Sequence, residues 1–172
     1  MKIKQVPFRH GPKGMEILYE DIDVIVIDKE SGLLTVAANY EKLETAHQIL
    51  TTYIRRGNVK STKEIFVVHR LDRETSGVLV FAKSFKAMET LKNQWPSVKK
   101  KYLAVVHGTL QEKEGTISSY LAENEDYEMY SVNDPLKGKL AITNYKVLKE
   151  SPKFSLVEID LVTGKKNQIR VH

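Results

Sequence analysis

The chain has 172 residues and a formal charge of +5, an excess that suits a polyanionic partner. It has no cysteine, which excludes disulfides and thiolate metal sites and fits a reducing cytoplasm. No apolar run reaches membrane-spanning length, the five histidines lack metal-ligand spacing, and no glycine-rich phosphate loop is present, so the expectation is one domain over 1–172 without metal, cofactor or membrane partner.

Residues 1–14 are basic and lack an apolar stretch, which predicts a flexible or edge segment rather than a secretory signal. Glu16 to Tyr19 and Val24 to Asp28 predict two strands joined by an acidic turn. Leu43, Ala46, Leu50, Tyr53 and Ile54 recur at helical spacing, with Gly57 placed to stop that helix. Ile65 to Val68 and Val78 to Phe81 are β-branched and aromatic runs that predict buried strands. Ser84 can cap a second helix whose stripe of Phe85, Met88, Leu91 and Trp95 is expected in the core, closed by Pro96.

The second half is β-rich. Strands are predicted over Tyr102 to Val106, Thr116 to Leu121, Gly138 to Val147 and Phe154 to Val162. Ala141, Thr143, Tyr145 and Val147 fall on one face of the third of these. The polar stretch from Glu123 to Lys139 predicts a loop with one short strand at most. The fold class is mixed α+β, a largely antiparallel sheet with flanking helices.

The chemistry concentrates between the Ile65 and Val78 runs. His69-Arg70-Leu71-Asp72-Arg73-Glu74-Thr75-Ser76-Gly77 sets a carboxylate between two guanidinium groups on a polar turn. An Asp held there is a candidate nucleophile or general base. Taken alone, Asp-Arg neighbours are as readily solvated surface charge. A hydrolase triad of His69, Asp72 and Ser76 would struggle to reach its geometry within one tight turn. A glycosidase-like hydrolase lacks a well-placed second carboxylate.

The string His69 to Gly77 resembles the signature H-R-L-D-x-x-T-S-G of the RluA-type family of RNA pseudouridine synthases. Tyr102, Ala104, Val106 and Gly108 are similar to the family's Y-x-A-x-V-x-G pattern, and Ala141 to Val147 to its A-x-T-x-Y-x-V strand. Thr163 to His172 resembles T-G-R-T-H-Q-I-R-V-H, with Lys165, Lys166 and Asn167 replacing Arg, Thr and His. The family's Lys-Pro-x-Gly turn is Lys29-Glu30-Ser31-Gly32 here. Family members continue beyond the terminal motif, so the chain is expected to be incomplete at its C-terminus.

The resemblance implies the pseudouridine synthase catalytic-domain fold and isomerisation of uridine to pseudouridine in rRNA or tRNA, without a cofactor. It implies a cytoplasmic, monomeric enzyme. Asp72 is then the nucleophile. Arg170 is its charge partner, in a strand, and Tyr102 is the platform for an extruded base. Ile169 packs on the base's other side, and Arg70 fills the gap left by the base. Arg73, Lys29, Lys165 and Lys166 complete the RNA-binding set, with surface exposure an open alternative for Lys29. His69, Thr75 and Ser76 shape the loop. The competing reading is a non-catalytic RNA-binding module that keeps the fold.

Overall fold

The computed structural model describes residues 11–37, 44–56 and 58–172. The chain divides into two compact units, Met1–Trp95 and Pro96–His172, each built on an antiparallel sheet. The architecture is α+β, as the sequence predicts.

In the first unit, β1 (Met15–Glu20) and β2 (Val24–Lys29) form a hairpin. Asp21 closes its turn, because Oδ1 accepts from the N–H groups of Asp23 and Val24, both at 2.8 Å. β2 pairs on its other side with β4 (Gly77–Ala82), and β3 (Phe66–Val67) completes the order β1-β2-β4-β3. β3 is only Phe66–Val67, shorter than the predicted run, but its flanks Ile65 and Val68 are buried. Ile25, Ile27, Leu79 and Phe81 are fully buried, the alternate residues of β2 and β4. Each is worth about 1.5–3 kcal/mol of burial.

Helix α1 (Ala46–Arg55) starts on a capping box of Thr45 and Gln48 and buries Ala46 and Leu50 of its stripe. Arg56, at φ +49°, ends it. Leu43 and Gly57, expected in that helix and at its end, lie outside the described residues, as do residues 1–10. Helix α2 (Phe85–Gln94) is capped by Ser84, whose hydroxyl accepts from the N–H of Ala87, and a 3₁₀ turn at Trp95–Ser97 follows.

The expected core stripe of α2 is corrected: the helix buries no residue. Phe85 is 57% exposed and meets Phe66 edge-on, with centroids 6.3 Å apart. Met88, Leu91 and Trp95 are half-buried. The helix leans on β4 and the two-residue β3, a partner too narrow to cover an apolar stripe.

In the second unit the strands are β5 (Lys101–His107), β6 (Glu114–Glu123), β7 (Met129–Val132), β8 (Lys139–Glu150) and β9 (Phe154–Leu161), in the order β5-β9-β8-β6-β7. β7 is the short strand allowed in the polar stretch. Val157, Ile159 and Leu161 alternate along β9 and form the core, with Tyr102, Ala104 and Val106 of β5 packed against them. Ala141 and Thr143 of β8 are buried, while Leu140 and Leu148 point to solvent. Gly138 has a plain reason: a Cβ there would lie 2.8 Å from Val132 Cγ2 and 2.9 Å from Tyr120 Cβ.

The terminal motif is a turn and a helix, not the strand expected around Arg170. β9 stops at Leu161, Asn167 takes φ +52°, and α3 (Gln168–Val171) makes one turn. The N–H groups of Arg170 and Val171 both donate to the Asn167 carbonyl, at 2.9 and 3.1 Å. The left-handed residue reverses the chain, and an extended ladder cannot continue through it.

Candidate active site

In the first unit, the Asp72 loop is fixed by its own backbone. Thr35 is buried, and its hydroxyl both donates to the Leu71 carbonyl (2.8 Å) and accepts from the Leu71 N–H (3.2 Å). The Arg73 carbonyl accepts from the Gly32 N–H at 2.9 Å and from Lys29 Nζ at 3.1 Å. The residues on either side of Asp72 are thus pinned, while Asp72 is half-buried. Inside the loop, the Thr75 N–H closes a turn onto the Asp72 carbonyl at 3.1 Å. His69 Nε2 accepts from the Val80 N–H at 3.0 Å, and its ring stacks on Trp95 with centroids 4.2 Å apart. The imidazole is committed to shaping the loop.

Lys29 resolves the alternative left open for it. The residue is fully buried, and Nζ donates to the carbonyls of Glu30 (2.9 Å), Leu33 (2.7 Å) and Arg73. All its donors are turned to the protein's own backbone, so the RNA contact expected of Lys29 is replaced by a clamp between the 30–33 turn and the Asp72 loop. Burial pushes its ammonium below the ordinary lysine value, and the carboxylates of Glu74 and Asp72 pull it back up. Arg70 is exposed. Arg73 is also exposed, with Nε 3.3 Å from the Gly32 carbonyl and 3.7 Å from Glu74 Oε1.

In the second unit, Tyr102 and Ile169 are half-buried and pack on the same Val157–Ile159–Leu161 cluster. Arg170 is exposed on α3. Lys165 is half-buried, and Lys166 is held by the Glu123 carboxylate and the Tyr127 carbonyl, with Nζ 5.9 Å from the Tyr127 ring centre. Lys166 therefore has a partner in the protein to give up before it meets a phosphate.

Sequence reasoning missed the polar cluster under this motif. Gln168, buried among Thr143, Thr163 and Ile142, uses both ends of its amide, and His172 bridges Thr143 Oγ1 (Nδ1, 2.8 Å) and Ser119 Oγ (Nε2, 3.1 Å). Gln168 and His172 stand inside the quoted motif, on either side of the charged Arg170. Thr35 carried no signal, since a lone threonine announces no partner.

Comparison with known proteins gives the class. The RNA pseudouridylate synthase family pattern matches residues 23–172. The chain is 36% identical over 161 residues to an uncharacterized RNA pseudouridine synthase of Mycoplasma genitalium, covering 92% of this chain and 50% of that protein. It is 32% identical over 162 residues to the ribosomal large subunit pseudouridine synthase D of Borreliella burgdorferi, covering 91% and 49%. Among solved structures, human RNA pseudouridylate synthase domain containing 4 matches with a TM-score of 0.75 at 27% identity, over 91% of this chain and 62% of that one. The chain belongs to the RNA pseudouridylate synthase family. It spans about half the length of the curated relatives it matches.

Proposed function

We propose that the protein isomerises uridine in rRNA or tRNA to pseudouridine, with Asp72 as nucleophile. The observation that carries the reading is the Asp72 loop: its neighbours Leu71 and Arg73 are pinned by Thr35, Gly32 and Lys29, which leaves a carboxylate on a backbone that need not reorganise. In the reaction the glycosidic C–N bond breaks, the uracil turns, and its C5 bonds to the ribose. The C5 proton leaves to solvent and N1 gains one, so no oxidant, reductant or second substrate is needed. One carboxylate serves as the nucleophile, a role one of the two carboxylates of a retaining glycosidase also plays.

The family resemblance assigns Arg170 as the charge partner of the nucleophile, since a guanidinium favours an ionised carboxylate. It assigns Tyr102 and Ile169 to the extruded base, and Arg70, Arg73, Lys165 and Lys166 to RNA. The half-buried positions of Tyr102 and Ile169 on one apolar cluster support a base-binding wall. The reading places a monomeric enzyme in the cytoplasm, where rRNA and tRNA are.

The test is release of tritium from RNA labelled at uridine C5. Asp72→Asn keeps the shape of the side chain and removes its charge, so RNA binding should persist while release stops. Release by Asp72→Asn near the parent rate refutes the assignment. RNA binding without release by the parent points to the non-catalytic module instead.

A further inference from the structure

α3 has little to hold it by itself. It is a single turn, and Asn167 gives it no side-chain cap. Short helices are unstable without tertiary anchors. Ile169 packs on the apolar cluster and His172 bonds Thr143 and Ser119, but the side chain with the most bonds is the Gln168 amide. Gln168 Oε1 accepts from the Lys165 N–H and from the Thr163 hydroxyl, each at 2.9 Å. Its Nε2 donates to the Ile142 carbonyl at 3.0 Å and to Thr143 Oγ1 at 2.8 Å. The orientation follows from chemistry: Lys165 N–H can only donate and the Ile142 carbonyl can only accept, so oxygen faces the first and nitrogen the second. Both donors and both acceptor sites of the amide are used.

We infer that Gln168 is a positioning residue for the isomerisation, tying α3 to β8 and to the 163–165 turn so that Ile169 faces the apolar cluster and Arg170 the solvent side. This rests on the function proposed above. No other side chain of this length offers two donors and two acceptors at one planar tip. Methionine fills the volume and makes none of the bonds. Glutamate keeps the two acceptor contacts but sets a carboxylate oxygen against the Ile142 carbonyl. Asparagine is one methylene too short to reach both sides. The rigidity so gained matters because a misplacement of about 1 Å can cost about a hundredfold in rate.

The experiment compares the parent with Gln168→Met and Gln168→Glu in three measurements. The first is single-turnover tritium release from [5-³H]uridine-labelled bulk RNA of cells lacking the gene. The second is affinity for the same RNA, and the third is hydrogen exchange of residues 163–172. Both variants should release tritium about a hundredfold more slowly while RNA affinity stays within about threefold. Amide exchange should rise over 163–172 and stay unchanged over β2 and β4. Turnover near the parent's in either variant overturns the inference, as does unchanged exchange over 163–172. Rate and affinity falling together reduce Gln168 to general packing. A parent that releases no tritium refutes the proposed function, and exchange in the variants still decides whether Gln168 is the anchor. If Gln168→Met does not purify, Gln168→Glu carries the same comparison.

Discussion

Replacing Lys29 with methionine removes a buried ammonium while keeping most of its volume. The Arg73 carbonyl retains the Gly32 N–H at 2.9 Å. The Glu30 carbonyl belongs to an exposed residue and can take up water. The Leu33 carbonyl loses a bond of 2.7 Å within a half-buried turn. One orphaned carbonyl and the lost charge-assisted bonds outweigh the relief of a desolvated ammonium, leaving a net loss of about 2 kcal/mol. For a unit of this size that is a fall of about 8–16 °C in melting temperature. Urea unfolding followed by fluorescence reads it directly, because Trp95 is the sole tryptophan and stacks on His69 in the same unit. The pH dependence has a definite sign. With Lys29 held below its ordinary value of 10.5, the folded state sheds its proton first as pH rises toward that value. The parent therefore gains stability there and the variant does not, so the gap between them widens. A loss under about 0.5 kcal/mol, the scale of a neutral surface change, refutes the clamp.

Tyr102→Leu keeps an apolar side chain on the Val157 cluster and removes the ring. It should slow tritium release by the equivalent of about 1–3 kcal/mol while leaving RNA affinity and its salt dependence nearly intact. Equal losses in rate and affinity, measured by titration at several salt concentrations, would make Tyr102 a packing residue. Burial holds the His172 imidazole below its ordinary value of 6.5. The unfolded chain is then protonated first on acidification, so stability present above that value is lost below it. Protection of residues 163–172 from hydrogen exchange, corrected for intrinsic rate, should fall between about pH 7.5 and about pH 5.5. Protection that does not change with pH refutes this.

Strands were legible where one face is buried and the other is not. The alternation of Ala141 and Thr143 with their outward neighbours appears in the structure because burial imposes a period of two on β8. The cap of α2 was legible because Ser84 bonds its own helix, a local interaction. The burial of its stripe was not, since amphipathic spacing says nothing about the width of the partner surface. Around the candidate site, the charged residues announced themselves and the residues that hold them did not. Lys29, Thr35 and Gln168 act through backbone groups up to 44 positions away, and a carbonyl looks the same whatever residue bears it. The turn at Asn167 hid for the same reason: an apolar and basic tail ahead of it reads as a strand until one torsion angle reverses the chain.

That torsion angle also bears on what drift this protein can tolerate. Asn167 sits at φ +52°, ψ +21°, where Asn, Asp and His are the non-glycine residues found most often. The T-G-R-T-H-Q-I-R-V-H pattern has His at this place, so the exchange in this chain swaps one side chain at ease in that conformation for another. What the turn requires of this residue is a backbone shape. His, Asn, Asp and Gly at this point can each hold that conformation. A step to valine or isoleucine would meet steric strain and pull Gln168, the next residue, off its four partners.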